Sequence, residues 1–244
     1  YYALGKYGLF FAGLGKSLAL CLGFFLFLRE QRIDRRAALL GGLALAGRAP
    51  VIAWQAHPHT GAFAYVGFLL LLAQRGIRGP RGPTLVLLSL VTALTIFAGH
   101  AQSAFQAALV TMIWLVVCCV RHAREHGAAK AMLGLLWVTL AVALGVGLSA
   151  AHWLPFFEAL RDSEAISSHT GAGASLRVPA RLLSLTVFPD LFGSPRDGVV
   201  LSSAFGDAGY LEQVGAYVGG SMLSLAALGV AAGSWRGQRG RGGL

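Results

Sequence analysis

Two cations, Lys16 and Arg48, stand inside apolar runs. A charge within a bilayer is costly and by default marks a functional hypothesis. Lys16 suits a cation facing a wet cavity that holds an anionic group such as a lipid phosphate, and equally a tilted helix or a buried pair. Arg48 lies beside Pro50, which loosens a helix and leaves carbonyls for a guanidinium that reaches toward water. A second group is His57, His59 and His100 with Gln102, supported by Trp54. Imidazoles can donate to a phosphate or a sugar hydroxyl and exchange protons near neutral pH. The competing reading parks Trp and His at the headgroup level as amphipathic groups. His57-Pro58-His59 is not a helical i, i+4 pair and has no carboxylate close in sequence, which argues against a metal site.

The third group runs from His152-Trp153-Leu154-Pro155 into Glu158, Arg161, Asp162 and Glu164. Phe156, Phe157 and Leu160 share one side of a helical turn away from Glu158 and Arg161, the pattern of a short helix lying in the membrane interface. Val178 to Leu185 repeats that character, with Pro179 suited to a first helical turn. Phe188 to Pro195 reads as turns, and Ser167 to Ala174 as a small polar loop. An outer loop of this kind can gate a lipid-facing site or be an inert connection, and no Ser-His-Asp spacing, Walker loop or HExxH decides between them.

The elements that must position these groups are apolar. Of 244 residues 56% are hydrophobic and only 12% charged, with a mean hydropathy of +0.65. Soluble domains carry roughly twice that share of charge, so the composition describes a bilayer protein. The net charge of +10 does not indicate nucleic acid, because the basic residues sit in short clusters between apolar runs. Cys21, Cys118 and Cys119 all lie inside such runs, with no disulfide or zinc framework. A helix crosses the hydrocarbon core with roughly 20 apolar residues, and seven stretches approach that length: Gly8 to Leu28, Ala37 to Trp54, His59 to Gln74, Thr84 to Gly99, Ala104 to Val120, Ala131 to Leu154 and Val214 to Gly233. The expected fold is all-α, a polytopic bundle of about seven spans forming one membrane domain over 1–244. An extracytoplasmic loop with interfacial helices is expected at 155–213 and a basic cytoplasmic tail at 234–244.

Basic loops on alternate connections give the orientation. Arg29, Arg32, Arg35 and Arg36 follow the first span; Arg75, Arg78 and Arg81 the third; Arg121, Arg124 and Lys130 the fifth; Arg236, Arg239 and Arg241 the seventh. All four clusters then fall on the cytoplasmic side, and orientation with attraction to anionic lipid accounts for them. The histidines and the acidic loop fall on the outer side. Gly41-Gly42, Gly145 with Gly147, and Gly215-x-x-x-Gly219 read as packing faces where helix backbones approach closely. The chain starts at Tyr1 and ends in a Gly and Arg run, and it reads as an internal fragment of a longer membrane protein.

Trp54 with His57-Pro58-x-Thr60, then Gly99-His100-x-Gln102, Leu154-Pro155-x-x-Glu158 followed by Arg161, Phe188-Pro189-Asp190-Leu191-Phe192-Gly193, and Glu212-x-x-Gly215-x-Tyr217-x-Gly219 come in this order. In order and spacing they resemble the YfhO-like bacterial membrane proteins. That family is similar to the GT-C class of polytopic glycosyltransferases. The resemblance implies transfer of a sugar from a polyprenyl-phosphate donor to an envelope acceptor on the outer face of the bacterial cytoplasmic membrane. It places the catalytic acid in the first outer loop, expected upstream of Tyr1, so no catalytic residue is assigned here. A divalent cation is implied for many members, but its acidic ligands are not visible in this chain. Lys16 or Arg48 would then meet the phosphate, and His57, His59, His100, Gln102, Glu158 and Arg161 would line the substrate vestibule. The expected partners are membrane lipids and the lipid-linked sugar. The competing classes are a lipid or solute transporter, disfavoured as a proton-coupled carrier by the lack of a repeat and of intramembrane acids, and a non-catalytic envelope-assembly subunit.

Overall fold

Helix α1, Gly8–Glu30, follows from a largely apolar stretch interrupted by Lys16, and its 23 residues at 1.5 Å per residue are about 35 Å long, enough to cross a bilayer. Besides Gly8 at its start, its buried residues Gly13, Leu20, Gly23 and Phe27 recur at helical spacing on one face. The rest, including Phe10, Leu18 and Leu22, is exposed apolar surface suited to lipid. In the computed structural model the described residues are 7–47, 51–52, 58–161, 184, 188, 191, 193–194, 199–200 and 227–229.

Helix α2, Arg35–Ala46, begins where the Asp34 carboxylate accepts from the N–H groups of Arg36 and Ala37, a side-chain cap that satisfies two orphan donors. These bonds hold the Asp34 carboxyl below the ordinary aspartate range. At 12 residues α2 shows only the first part of the expected span Ala37 to Trp54, and Arg48 and Trp54 lie outside the described residues. The third expected span is longer than its apolar run. It comprises α3, His59–Phe63, and α4, Val66–Arg78, joined through a turn at Ala64 and Tyr65. Helix α4 is apolar around most of its circumference and therefore occupies the centre of the bundle, with Leu69 to Ile77 all buried except Arg75.

Helix α5, Gly82–Phe97, starts with Pro83 in its first turn, where a missing N–H costs nothing. Gly99, at φ +79°, turns the chain into α6, Ala101–His126. Gly127 alone, at φ +93°, connects α6 to α7, Ala128–Leu148. That left-handed conformation is open to glycine at no steric penalty. Arg121 and Arg124, expected in a loop, therefore lie on the last turns of α6, and Lys130 on the first turn of α7. The sixth expected span, Ala131 to Leu154, breaks earlier: Ser149 ends α7 with its hydroxyl donating to the Val146 carbonyl, and α8, Ala150–Arg161, follows with no buried residue. The expected interfacial helix thus starts six residues before Phe156.

Four helices, Gly8–Glu30, His59–Arg78, Ala101–His126 and Ala128–Leu148, are long and apolar enough to span a membrane, and Gly82–Phe97 is a shorter apolar helix. Of the seventh expected span only Ala227, Leu228 and Gly229 are described, and they are helical. Leu69, Leu72, Leu88, Ala107, Val138 and Ala141 form the core between α4, α5, α6 and α7. Small residues set the closest approaches: a methyl on Gly67 would fall 2.3 Å from the Gly23 carbonyl carbon, one on Gly42 2.7 Å from the Cys21 oxygen, and one on Gly145 2.5 Å from the Ser89 oxygen. Gly147 faces open space and contributes no such approach, while Gly215 and Gly219 lie outside the described residues. Ser89 ties α5 to α7 by donating to the Ala141 carbonyl at 2.8 Å. Where α1 meets α4, Glu30 accepts from Arg75 at 2.7 Å and 3.0 Å.

The chain divides into two compact units, 1–47 with 51–174, and 48–50 with 175–244. Helices α1 to α8 belong to the first. In the second, Phe188 N–H donates to the Ser184 carbonyl, and Gly193–Ser194 pairs antiparallel with Val199–Val200. This two-residue pairing is the only strand pairing among the described residues, and it begins in a stretch expected to hold only turns up to Pro195.

Candidate functional site at the histidine end

His59 opens α3 and His100 precedes α6, so both sit at helix starts that the alternating course of the chain carries to one end of the bundle. Their rings lie 3.6 Å apart at the centroids, tilted by 33°. The approach depends on small neighbours, since Gly61 packs so closely on Ala98 that an added methyl would be 3.0 Å from the Ala98 methyl. His100 is held by its own helix: Nδ1 accepts from the Ser103 N–H at 3.1 Å and lies 2.7 Å from the Ser103 hydroxyl. Its side chain thus caps α6 in the role usually taken by Ser or Asp. With Nδ1 accepting, a neutral ring carries its proton on Nε2.

His152 joins this end. Its ring meets Phe97 edge to face at 5.9 Å, and its Cε1 is 4.0 Å from where a methyl on Gly99 would be. Gly99 adjoins His100, so three histidines from α3, the α5–α6 turn and α8 gather in one region. The sequence signal for His152 was its place at the end of an apolar run. It was not assigned to the site, because the break at Ser149 that swings α8 into place has no signature of its own.

The other expected site residues divide. Gln102 is exposed in the first turn of α6, and Glu158 and Arg161 sit on the far half of α8, Glu158 exposed. Lys16 lies within α1 and is half-buried. His57 and Arg48 lie outside the described residues. Among the described residues no three His, Cys, Asp or Glu side chains are grouped to hold a metal ion. The arrangement offers imidazole donors and acceptors, with the apolar Phe97 ring against His152, suited to orienting a polar headgroup at the edge of a bilayer. This is a polytopic helical bundle with a membrane protein's surface. The chain matches no family model, no curated protein and no solved structure.

Proposed function

We propose that this chain is part of a YfhO-like, GT-C-type membrane protein of the bacterial cytoplasmic membrane that transfers a sugar from a polyprenyl-phosphate donor to an envelope acceptor on the outer face. The observation that supports the reading is the approach of the His59 and His100 rings to 3.6 Å between centroids, since these two histidines stand in or beside two of the motifs behind the resemblance, His57-Pro58-x-Thr60 and Gly99-His100-x-Gln102. Orientation supports it as well: Glu30, Arg75 and Arg78 cluster at the opposite end, and arginine-rich ends face the cytoplasm. In this reading the full set is seven spans, Gln102, Glu158 and Arg161 contribute to the vestibule with His57, and Lys16 or Arg48 meets the donor phosphate. The catalytic carboxylate is not assigned.

The test is sugar transfer by the full-length protein in membranes supplied with a polyprenyl-phosphate-linked sugar. His100→Asn keeps an acceptor for the Ser103 N–H while removing the imidazole. Loss of transfer with normal insertion supports the vestibule. Unchanged transfer removes His100 from it, and movement of the lipid or solute without transfer favours a transporter.

A further inference from the structure

The arginine-rich end contains a cavity of about 790 Å3. Four cations line it, Arg32, Arg78, Arg121 and Lys130, against the carboxylates of Glu30 and Glu125. Glu30 is already engaged by Arg75 and Arg78, and Glu125 lies 3.9 Å from His126. Among the described residues Arg32, Arg121 and Lys130 form no ion pair, so the cavity holds uncompensated positive charge. Arg32 reaches its place through a left-handed backbone, φ +62°, in the turn between α1 and α2.

A smaller recess of about 20 Å3 shares Arg78, Arg121, His122 and Glu125 with the cavity and is also lined by Gln74, Trp114 and Cys118. Gln74 is 1% exposed. Its Oε1 accepts from Gln31 Nε2 at 2.6 Å, while its own Nε2 and the indole Nε1 of Trp114 are buried and make no hydrogen bond. Buried donors are normally satisfied, and each exception calls for an explanation. Here two of them border one recess with room for a single oxygen atom, next to guanidinium groups suited to phosphate.

We propose that this cavity is a binding site for a phosphate group, one of whose oxygens enters the recess to accept from Gln74 and Trp114 while Arg121 and Lys130 neutralise its charge. Basic pockets between membrane helices take anionic headgroups in this way. The source is either an anionic membrane lipid or a soluble phosphate. The site lies at the end away from His59 and His100 and stands independently of the sugar-transfer reading.

The full chain, purified into phosphatidylcholine nanodiscs, is titrated with phosphatidic acid in one arm and inorganic phosphate in the other, with thermal stability and native mass spectrometry as readouts. Saturable stabilisation by phosphatidic acid alone identifies a lipid headgroup, and by inorganic phosphate as well, a soluble phosphate. Either supports the site. Arg121→Gln is expected to weaken binding about tenfold, the loss of one charge-assisted bond, whereas Arg124→Gln, exposed on the same helix outside the cavity, leaves it unchanged. Trp114→Phe removes only the indole donor and retains a ring against Phe27, and a loss of about threefold is expected. It serves as the second variant if Arg121→Gln fails to fold. No saturable binding of either probe, or equal losses in Arg121→Gln and Arg124→Gln, overturns the proposal, and a single water then fills the recess.

Discussion

The ring of His100 rests on the ring of His59 at 3.6 Å while its Nδ1 caps the helix that follows. One side chain therefore has a structural task and a surface task, and the two can be separated. His100→Ala removes both and is expected to destabilise the start of α6 by about 1 kcal/mol, the usual effect of losing a cap. His100→Asn restores most of that stability without restoring the imidazole. Thermal unfolding of the two variants in detergent, compared with wild type, checks this; equal losses would remove the capping role.

Glycine contacts make a sharper stability test. Gly67→Ala drives a methyl against the α1 backbone at Gly23 and Phe24, 2.3 Å away, where nothing flexible can yield. Overpacking of this kind costs about 1 to 3 kcal/mol or more. Gly15→Ala, also in an apolar helix, meets nothing within 4 Å and is expected to be neutral or slightly stabilising. The pair is read by thermal melting of each variant, and a Gly67→Ala protein as stable as Gly15→Ala would contradict the α1–α4 approach described above.

Much of this architecture was legible in the apolar runs. Gly8 to Leu28 and Ala104 to Val120 became α1 and most of α6 because a long, predominantly apolar run has no other way to satisfy its backbone in lipid. The meeting of His59 and His100 followed from alternation, since both precede spans that start at the same end. What stayed hidden depended on single turns. Nothing in the run from Arg121 to Lys130 announces that Gly127 alone reverses the chain, so the basic residues read as a loop and not as the wall of a cavity. The unpaired donors of Gln74 and Trp114 were hidden for a related reason: an amide and an indole in apolar helices carry no spacing signal, and only packing brings them to one recess.

Ion pairing between α1 and α4 is expected to be modest. Arg75 is half-exposed, and Glu30 is 21% exposed, so water screens the pair and Glu30→Gln should cost about 1 kcal/mol or less. The loss should shrink further as salt is raised. Melting temperatures of Glu30→Gln and wild type at low and high salt test both statements.

Acid should loosen α2 first at its start. Asp34 has a carboxyl held below its ordinary value by the N–H groups of Arg36 and Ala37. A lowered folded value means that the cap's contribution is fully present above about pH 4 and is lost as pH falls through the lower folded value. Amide exchange of the first turn of α2 should therefore accelerate in acid for wild type. Asp34→Asn, whose amide oxygen does not titrate, should show no such step.

The sugar-transfer reading depends on which way the bundle faces. The direct measurement is labelling of single introduced cysteines in intact cells with a membrane-impermeant thiol reagent, the native Cys21, Cys118 and Cys119 all lying within apolar helices. Gln102→Cys, exposed at the histidine end, is predicted to label from outside, and Arg124→Cys, exposed at the arginine end, only after the membrane is opened. The reverse pattern would put the histidines in the cytoplasm and contradict the outer-face vestibule.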